Sequence, residues 1–173
     1  MGKLFRNQHG FTLIELMVVA AIIVTLAAIS VPAASQRSRG YRMAAAARNL
    51  QSAVQGARMA AIKRGVGVWV DIDLAGNQCT TFVDNPIDGT VGALDTLDEE
   101  IGWLPLPEGV DLFATDSGGP AIQFSSRGTL SIPAGTERIL MQSVDGLLRG
   151  VRIRITGNSV IVKSNDNGVT WFQ

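Results

Sequence analysis

The chain has 173 residues, 46% of them apolar and only 17% charged, with fifteen basic and fifteen acidic residues. That is too apolar for a disordered chain and too lightly charged for an ordinary small soluble domain. A single cysteine, Cys79, excludes an intrachain disulfide and a Cys/His zinc cluster, and the single histidine, His9, leaves the rest of the chain without an imidazole base or metal ligand.

The neutral total hides an asymmetry. Residues 33–65 hold seven basic residues and no acid, whereas residues 66–173 hold six basic residues and fourteen acids, a net −8. A basic rod joined to an acidic head suits electrostatic steering between copies or partners; the plainer reading is two solvated faces.

Residues 1–10 are polar and carry Lys3 and Arg6. Phe11–Val31 follows, an apolar run whose only charge is Glu15. As a helix it spans about 32 Å, close to the ~30 Å of bilayer hydrocarbon. Basic residues ahead of it place the N-terminus in the cytoplasm. A secretory signal peptide would have a shorter apolar core and a small-residue cleavage site after it. A plain signal anchor fits the hydropathy but leaves Glu15 unexplained, since a carboxylate costs roughly 2.5–3.5 kcal/mol at the centre of a membrane helix and less near an end. Cleavage before Phe11 supplies a partner: the new α-amino group lies four residues ahead of Glu15, on the same helix face. Its own Glu15 or a neighbour's can pair with it, and such a buried pair favours register more than net stability.

Past Pro32 the pattern predicts helix to about Arg64, with Met43, Ala47, Leu50, Val54, Ala57 and Ala61 forming an apolar stripe. Arg42, Arg48 and Arg58 fall mostly off it, Gly40 and Gly56 permit bending, and Gly65 and Gly67 end the helix. Strands are expected at Val66–Ile72, Thr80–Val83, Gly102–Leu104, Val110–Ala114, Ala121–Phe124, Leu130–Ile132, Arg138–Ser143, Gly150–Thr156 and Val160–Lys163. Gly157-Asn158 marks a hairpin between the last two. The predicted organisation is a leader at 1–10, a transmembrane helix at 11–31, the amphipathic half of the helix at 32–65 and a β-rich head at 66–173. The fold class is α+β: a long N-terminal helix packed on antiparallel sheets.

The run Gly10-Phe11-Thr12-Leu13-Ile14-Glu15, between a basic leader and an apolar span, resembles the type IV prepilin signature. The resemblance implies cleavage by a prepilin peptidase after Gly10, methylation of the Phe11 amine, an assembly role for Glu15 and a helix kink at Pro32. Ile122-Gln123-Phe124-Ser125-Ser126-Arg127-Gly128, with Val151-Arg152-Ile153-Arg154-Ile155 and Gly157, resembles the head of GspH/FimT-type minor pseudopilins and minor pilins. That implies two packed sheets against the helix. The expected partners are other pilins or pseudopilins, the peptidase, an inner-membrane assembly platform and membrane lipid. The chain would sit in a bacterial inner membrane by a single pass, its head in the periplasm, before joining a pilus or pseudopilus.

Other motifs carry less. Asp71–Asn77 approaches a calcium loop, but Ala75 replaces an oxygen ligand, so a strand-end turn is expected. Ser164–Trp171 resembles an Asp-box turn, and Asp98-Glu99-Glu100 reads as a solvated loop. Trp69, Trp103 and Trp171 read as core or sheet-packing residues. No cofactor or metal is expected, and no nucleophile constellation suggests an enzyme. Arg149, Arg152 and Arg154 raise an alternative, because some FimT-type heads bind DNA through C-terminal basic residues; the acidic head and the lack of interleaved aromatics weigh against it.

Overall fold

The computed structural model describes residues 11–85, 92, 94, 96–116, 121–131, 136–164 and 170–173, with backbone only for 29–36 and Thr136. It divides into two compact units, Met1–Ser38 and Arg39–Gln173. Helix α1 (Leu13–Arg64) runs through both. Thr12 starts it: its Oγ1 accepts the Glu15 N–H at 3.3 Å. That is the N-cap bond of the Thr-x-x-Glu capping spacing. Gly65 stops it at φ +70°, its N–H donating to the Ala61 carbonyl at 2.9 Å. A glycine takes this left-handed conformation at little cost, and Lys63 and Arg64 complement the negative end of the helix dipole.

Among the described residues the head unit holds eight strands. A first sheet has the order β3-β2-β1-β5, with β1 at Val68–Asp73, β2 at Gln78–Val83, β3 at Glu99–Pro105 and β5 at Ala121–Phe124. A second has the order β4-β6-β7-β8, with β4 at Val110–Thr115, β6 at Thr136–Ser143, β7 at Leu148–Arg154 and β8 at Ser159–Ser164. All pairings are antiparallel. The helix stripe meets inward residues of both sheets in one core: Met43, Leu50 and Val54 with Val70, Ile122, Ile139 and Val151. Ala46 joins the expected stripe, and every member of it is at most 2% exposed. Small side chains at Ala46, Ala47, Ala57 and Ala61 let helix and sheets approach closely. Asn77 ties one sheet to the other, its Nδ2 donating to the Val110 carbonyl at 2.7 Å and its Oδ1 accepting the Leu112 N–H at 2.8 Å.

The α+β architecture is as expected, but four local readings change. Leu130 forms only an isolated bridge to Phe124 instead of opening a strand, and Ile132 lies outside the described residues. Glu99 and Glu100 are not loop residues; they begin edge strand β3, and Glu99 pairs with Arg64 at 2.7 Å. Trp103 is not a core residue: it is 60% exposed on β3, its indole N–H donating to Gln78 Oε1 at 2.9 Å. The short strands expected near 102 and 110 are longer, as β3 and β4. The Asp-box stretch is described only at Ser164 and from Thr170 onward.

Candidate functional site

The N-terminal unit has no core of its own among the described residues. Phe11 is 80% exposed, Leu13 79%, Ile14 71% and Leu26 61%. Leu16, Met17, Val18 and Val19 are consecutive and all exposed. Four successive helical residues point about 100° apart, so this segment is apolar on every side. A one-sided stripe would pack on one neighbour; an all-round apolar helix must be enclosed. Thr25 satisfies its hydroxyl internally, donating to the Ile22 carbonyl at 2.8 Å. Glu15 stands four residues after Phe11 in the first turn. Gly10 lies outside the described residues, and Pro32 is described only by its helical backbone. Among the described residues no helix is long and apolar enough to cross a membrane; the expected span at 11–31 runs into residues whose side chains are not described.

The head is locked to α1 by a polar row beside the stripe, which the sequence pattern did not single out. Gln51 Nε2 donates to the Ser159 carbonyl at 2.9 Å and Gln55 Nε2 to Ser159 Oγ at 2.6 Å. Arg58 donates through Nε to the Gly128 carbonyl at 3.0 Å and through Nη1 to Asn158 Oδ1 at 3.1 Å. Gly128 and Gly157 both have positive φ, +73° and +79°. A Cβ on Gly157 would lie 2.1 Å from the Gly128 carbonyl oxygen, and one on Gly128 2.6 Å from Ile62 Cδ1. Both glycines thus serve turns pressed against the helix. The i, i+4 spacing of Gln51 and Gln55, flanking the stripe with Arg58, was the available signal.

The three C-terminal arginines do not converge. Arg152 and Arg154 share one face of β7, and Arg152 lies opposite Arg138 of β6. Arg149 has the parity of Val151 and Ile153, which face the core. Arg138 is already engaged, with Asp116 at 2.7 Å and under the Trp171 ring at 5.6 Å. The hydrogen bond to Asp116 moves its pKa further up. Nε of Arg149 and Nε of Arg152 are buried without a hydrogen-bond partner among the described residues.

The Asp71–Asn77 segment is the expected turn. Asp73 Oδ1 accepts the N–H groups of Ala75 at 3.0 Å and Gly76 at 2.8 Å, which occupies a carboxylate that a cation would need. Among the described residues no group of acidic, Cys or His side chains is placed to hold a metal. Cys79 is free and buried, its thiol pushed up to about 12 by burial and by the nearby Asp71.

The prokaryotic N-terminal methylation motif matches residues 5–31, and the type II transport protein GspH family matches residues 46–160. A search of curated protein sequences gives no match. The type IV minor pilin FimU of Pseudomonas aeruginosa is similar in structure, with TM-score 0.51 and 16% identity over 69% of this chain and 87% of that one. The minor pseudopilin EpsH of the Vibrio cholerae type 2 secretion system gives TM-score 0.53 and 15% identity over 72% of this chain and 99% of that one. At such identity these two likenesses establish the shared fold, a helix followed by two antiparallel sheets. With a family match over most of the head and the methylation motif ahead of it, the chain belongs to the GspH family of minor pseudopilins and pilins.

Proposed function

We propose that the chain is a structural minor subunit of a type II secretion pseudopilus or type IV pilus, anchored in the inner membrane by Phe11–Val31 and assembled through that helix. The observation that carries this reading is the segment apolar on all sides with a single acid, Glu15, one turn after Phe11. Lipid encloses such a surface before assembly, and the helices of neighbouring subunits enclose it afterwards. A peptidase cut after Gly10 frees the Phe11 amine, methylation follows, and Glu15 of one subunit receives the amine of another. Pro32 lacks a backbone donor within the helix, so it loosens the turn between anchor and head. The head's partners are other pilins, and its role is structural rather than catalytic.

Mass spectrometry of the processed protein tests the first step: an N-terminus at a methylated Phe11 is expected, and an N-terminus left at Met1 or lying after Ala33 overturns the reading. Loss of secretion or of piliation in a deletion strain distinguishes the two machines. The DNA-binding alternative has one supporting observation, the shared face of Arg152 and Arg154. Against it, Arg138 is neutralised by Asp116 and Arg149 faces the other way. A salt-dependent DNA gel shift with the Arg152→Ala/Arg154→Ala double variant separates the two readings.

A further inference from the structure

Strand β3 is the outer strand of the first sheet, and β2 is its one neighbour among the described residues. An unpaired edge offers a row of backbone donors and acceptors to any extended chain that reaches it. The outer face of this edge carries a fixed aromatic ring beside an acid. Thr80 lies opposite Trp103 and Phe82 opposite Glu100, because the register shift between Thr81 and Phe82 takes up Ile101. Trp103 and Glu100 therefore share a face. The Trp103 indole N–H donates to Gln78 Oε1 at 2.9 Å, and Gln78 Nε2 donates in turn to Asp73 Oδ2 at 3.3 Å. Hydrogen bonds across three strands thus hold a ring that stays exposed. A ring ordered in advance loses little further entropy when something covers it.

The inner face of the same edge opens on a cleft of about 290 Å³ between β3 and α1. Ile101 and Leu104 line one wall, and Ala53, Gly56 and Ala57 the other. Small-molecule pockets take up roughly 300–1,000 Å³, so this one suits an apolar side chain. Successive side chains of a strand alternate between faces. One extended segment along β3 can fill the cleft with one residue and cover Trp103 with the next. Charge selects the outer residue. Glu99 is already paired with Arg64, but Glu100 is exposed beside a ring whose face attracts cations, on a head of net −8 over residues 66–173. The β3 edge of a second copy brings no basic residue, so two such edges do not satisfy each other.

We propose that the β3 edge docks an extended, basic segment of a different protein, which joins the first sheet as an added strand. An apolar side chain of that segment enters the cleft beside α1, and the neighbouring lysine or arginine lies against Trp103 and Glu100. Backbone pairing supplies affinity, and the two faces supply selectivity for alternating apolar and basic residues. Every residue involved lies in the head unit, so the inference is independent of the membrane anchor.

The full chain in detergent micelles, titrated with two fluorescein-labelled peptides, tests this. One peptide alternates valine and lysine; the other has the same composition with its valines and lysines in separate blocks. Fluorescence anisotropy should show the alternating peptide binding about tenfold tighter, and hydrogen exchange across β3 should slow when it binds. Trp103→Ala should weaken binding about tenfold and Glu100→Gln about threefold. Gly56→Leu is the decisive variant. A Cβ at Gly56 meets nothing within 4 Å, and leucine favours a helix more than glycine does, so this change fills the cleft without unfolding the chain. It should abolish the preference for the alternating peptide. No binding, equal binding of the two peptides, exchange in β3 that stays fast, or a preference that survives Gly56→Leu overturns the proposal. Protection of β3 that grows with protein concentration and needs no peptide assigns the edge to a second copy and overturns it as well.

Discussion

Arg58 on α1 and Gly157 in the β7–β8 turn define each other. The turn brings Asn158 to the guanidinium at 3.1 Å only because Gly157 has no side chain: a Cβ there would lie 2.5 Å from Arg58 Nε. The second sheet is thereby fastened to the helix by a polar contact at the edge of an otherwise apolar interface. Gly157→Ala combines a positive φ with collision against a backbone carbonyl and should cost about 3 kcal/mol or more. Arg58→Ala should cost about 1–2 kcal/mol for two hydrogen bonds in a half-buried setting, with Arg58→Lys in between. Urea unfolding of the purified protein measures both; a Gly157→Ala variant as stable as the parent would show that the turn is free to move off the helix.

The apolar stripe makes a sharper demand. Leu50 and Val54 are fully buried, while Arg48 and Ser52, on the same two turns, are exposed. Leu50→Asp or Val54→Asp places a carboxylate in the shared core of both sheets and should cost several kcal/mol, enough to abolish cooperative unfolding in a marginal domain. Ser52→Asp should stay within about 0.5 kcal/mol. Circular dichroism melts of the three variants distinguish a docked helix from a free one.

These contrasts also mark what the sequence could reveal. The stripe was legible because Met43 to Ala61 repeat with the helical period, and the β7–β8 hairpin because Gly157-Asn158 sits between two β-branched runs. The start of β3 was not. Glu99 and Glu100 look like loop residues, yet an edge strand tolerates charge, and Arg64 at the helix end pairs with Glu99. Trp103 reads as a core or sheet-packing residue, but nothing in a local pattern distinguishes an edge strand from a central one, and its exposure follows from that position. The period of two placed Arg152 and Arg154 on one face. That Arg138 lies opposite Arg152 and is held by Asp116 depends on strand register, a long-range property. At the N-terminus the motif was readable because it is local: Phe11, Thr12 and Glu15 fall within one turn, inside the residues 5–31 that match the methylation motif.

Cys79 offers a pH readout. Burial, and then Asp71, raise the folded thiol from an ordinary value of 9.0 to about 12. The folded state therefore keeps a proton that the unfolded state releases. Its contribution to stability is complete below pH 9 and declines as pH rises from 9 toward 12, by up to about 1.4 kcal/mol per pH unit. Cys79→Ala should remove that part of the alkaline slope, whatever small cavity cost it adds at pH 7. Iodoacetamide at pH 8 should label the denatured protein fully and the native protein hardly at all. Rapid native labelling would mean that the strands around Cys79 open readily.

Glu15 and Thr12 separate two roles that one turn could serve. Thr12 accepts the Glu15 N–H and caps the helix; the Glu15 carboxylate, in the proposed function, receives the amine of a neighbour. Thr12→Val removes the cap and should cost about 1 kcal/mol of local helix stability, fraying the first turn while leaving assembly largely intact. Glu15→Ala should do the reverse. Insertion becomes easier, since a charge no longer enters the membrane, and cleavage after Gly10 continues, but incorporation into filaments falls because a neighbour's amine loses its acceptor. Glu15→Gln keeps the shape and loses the charge, so it should fail nearly as badly; Glu15→Asp withdraws the carboxylate by one methylene and should fail in part. Crosslinking to other pilins and the content of sheared filaments measure incorporation, and the N-terminal sequence measures cleavage. Normal incorporation of Glu15→Ala with defective Thr12→Val would show that the turn matters for its helical start and not for its charge.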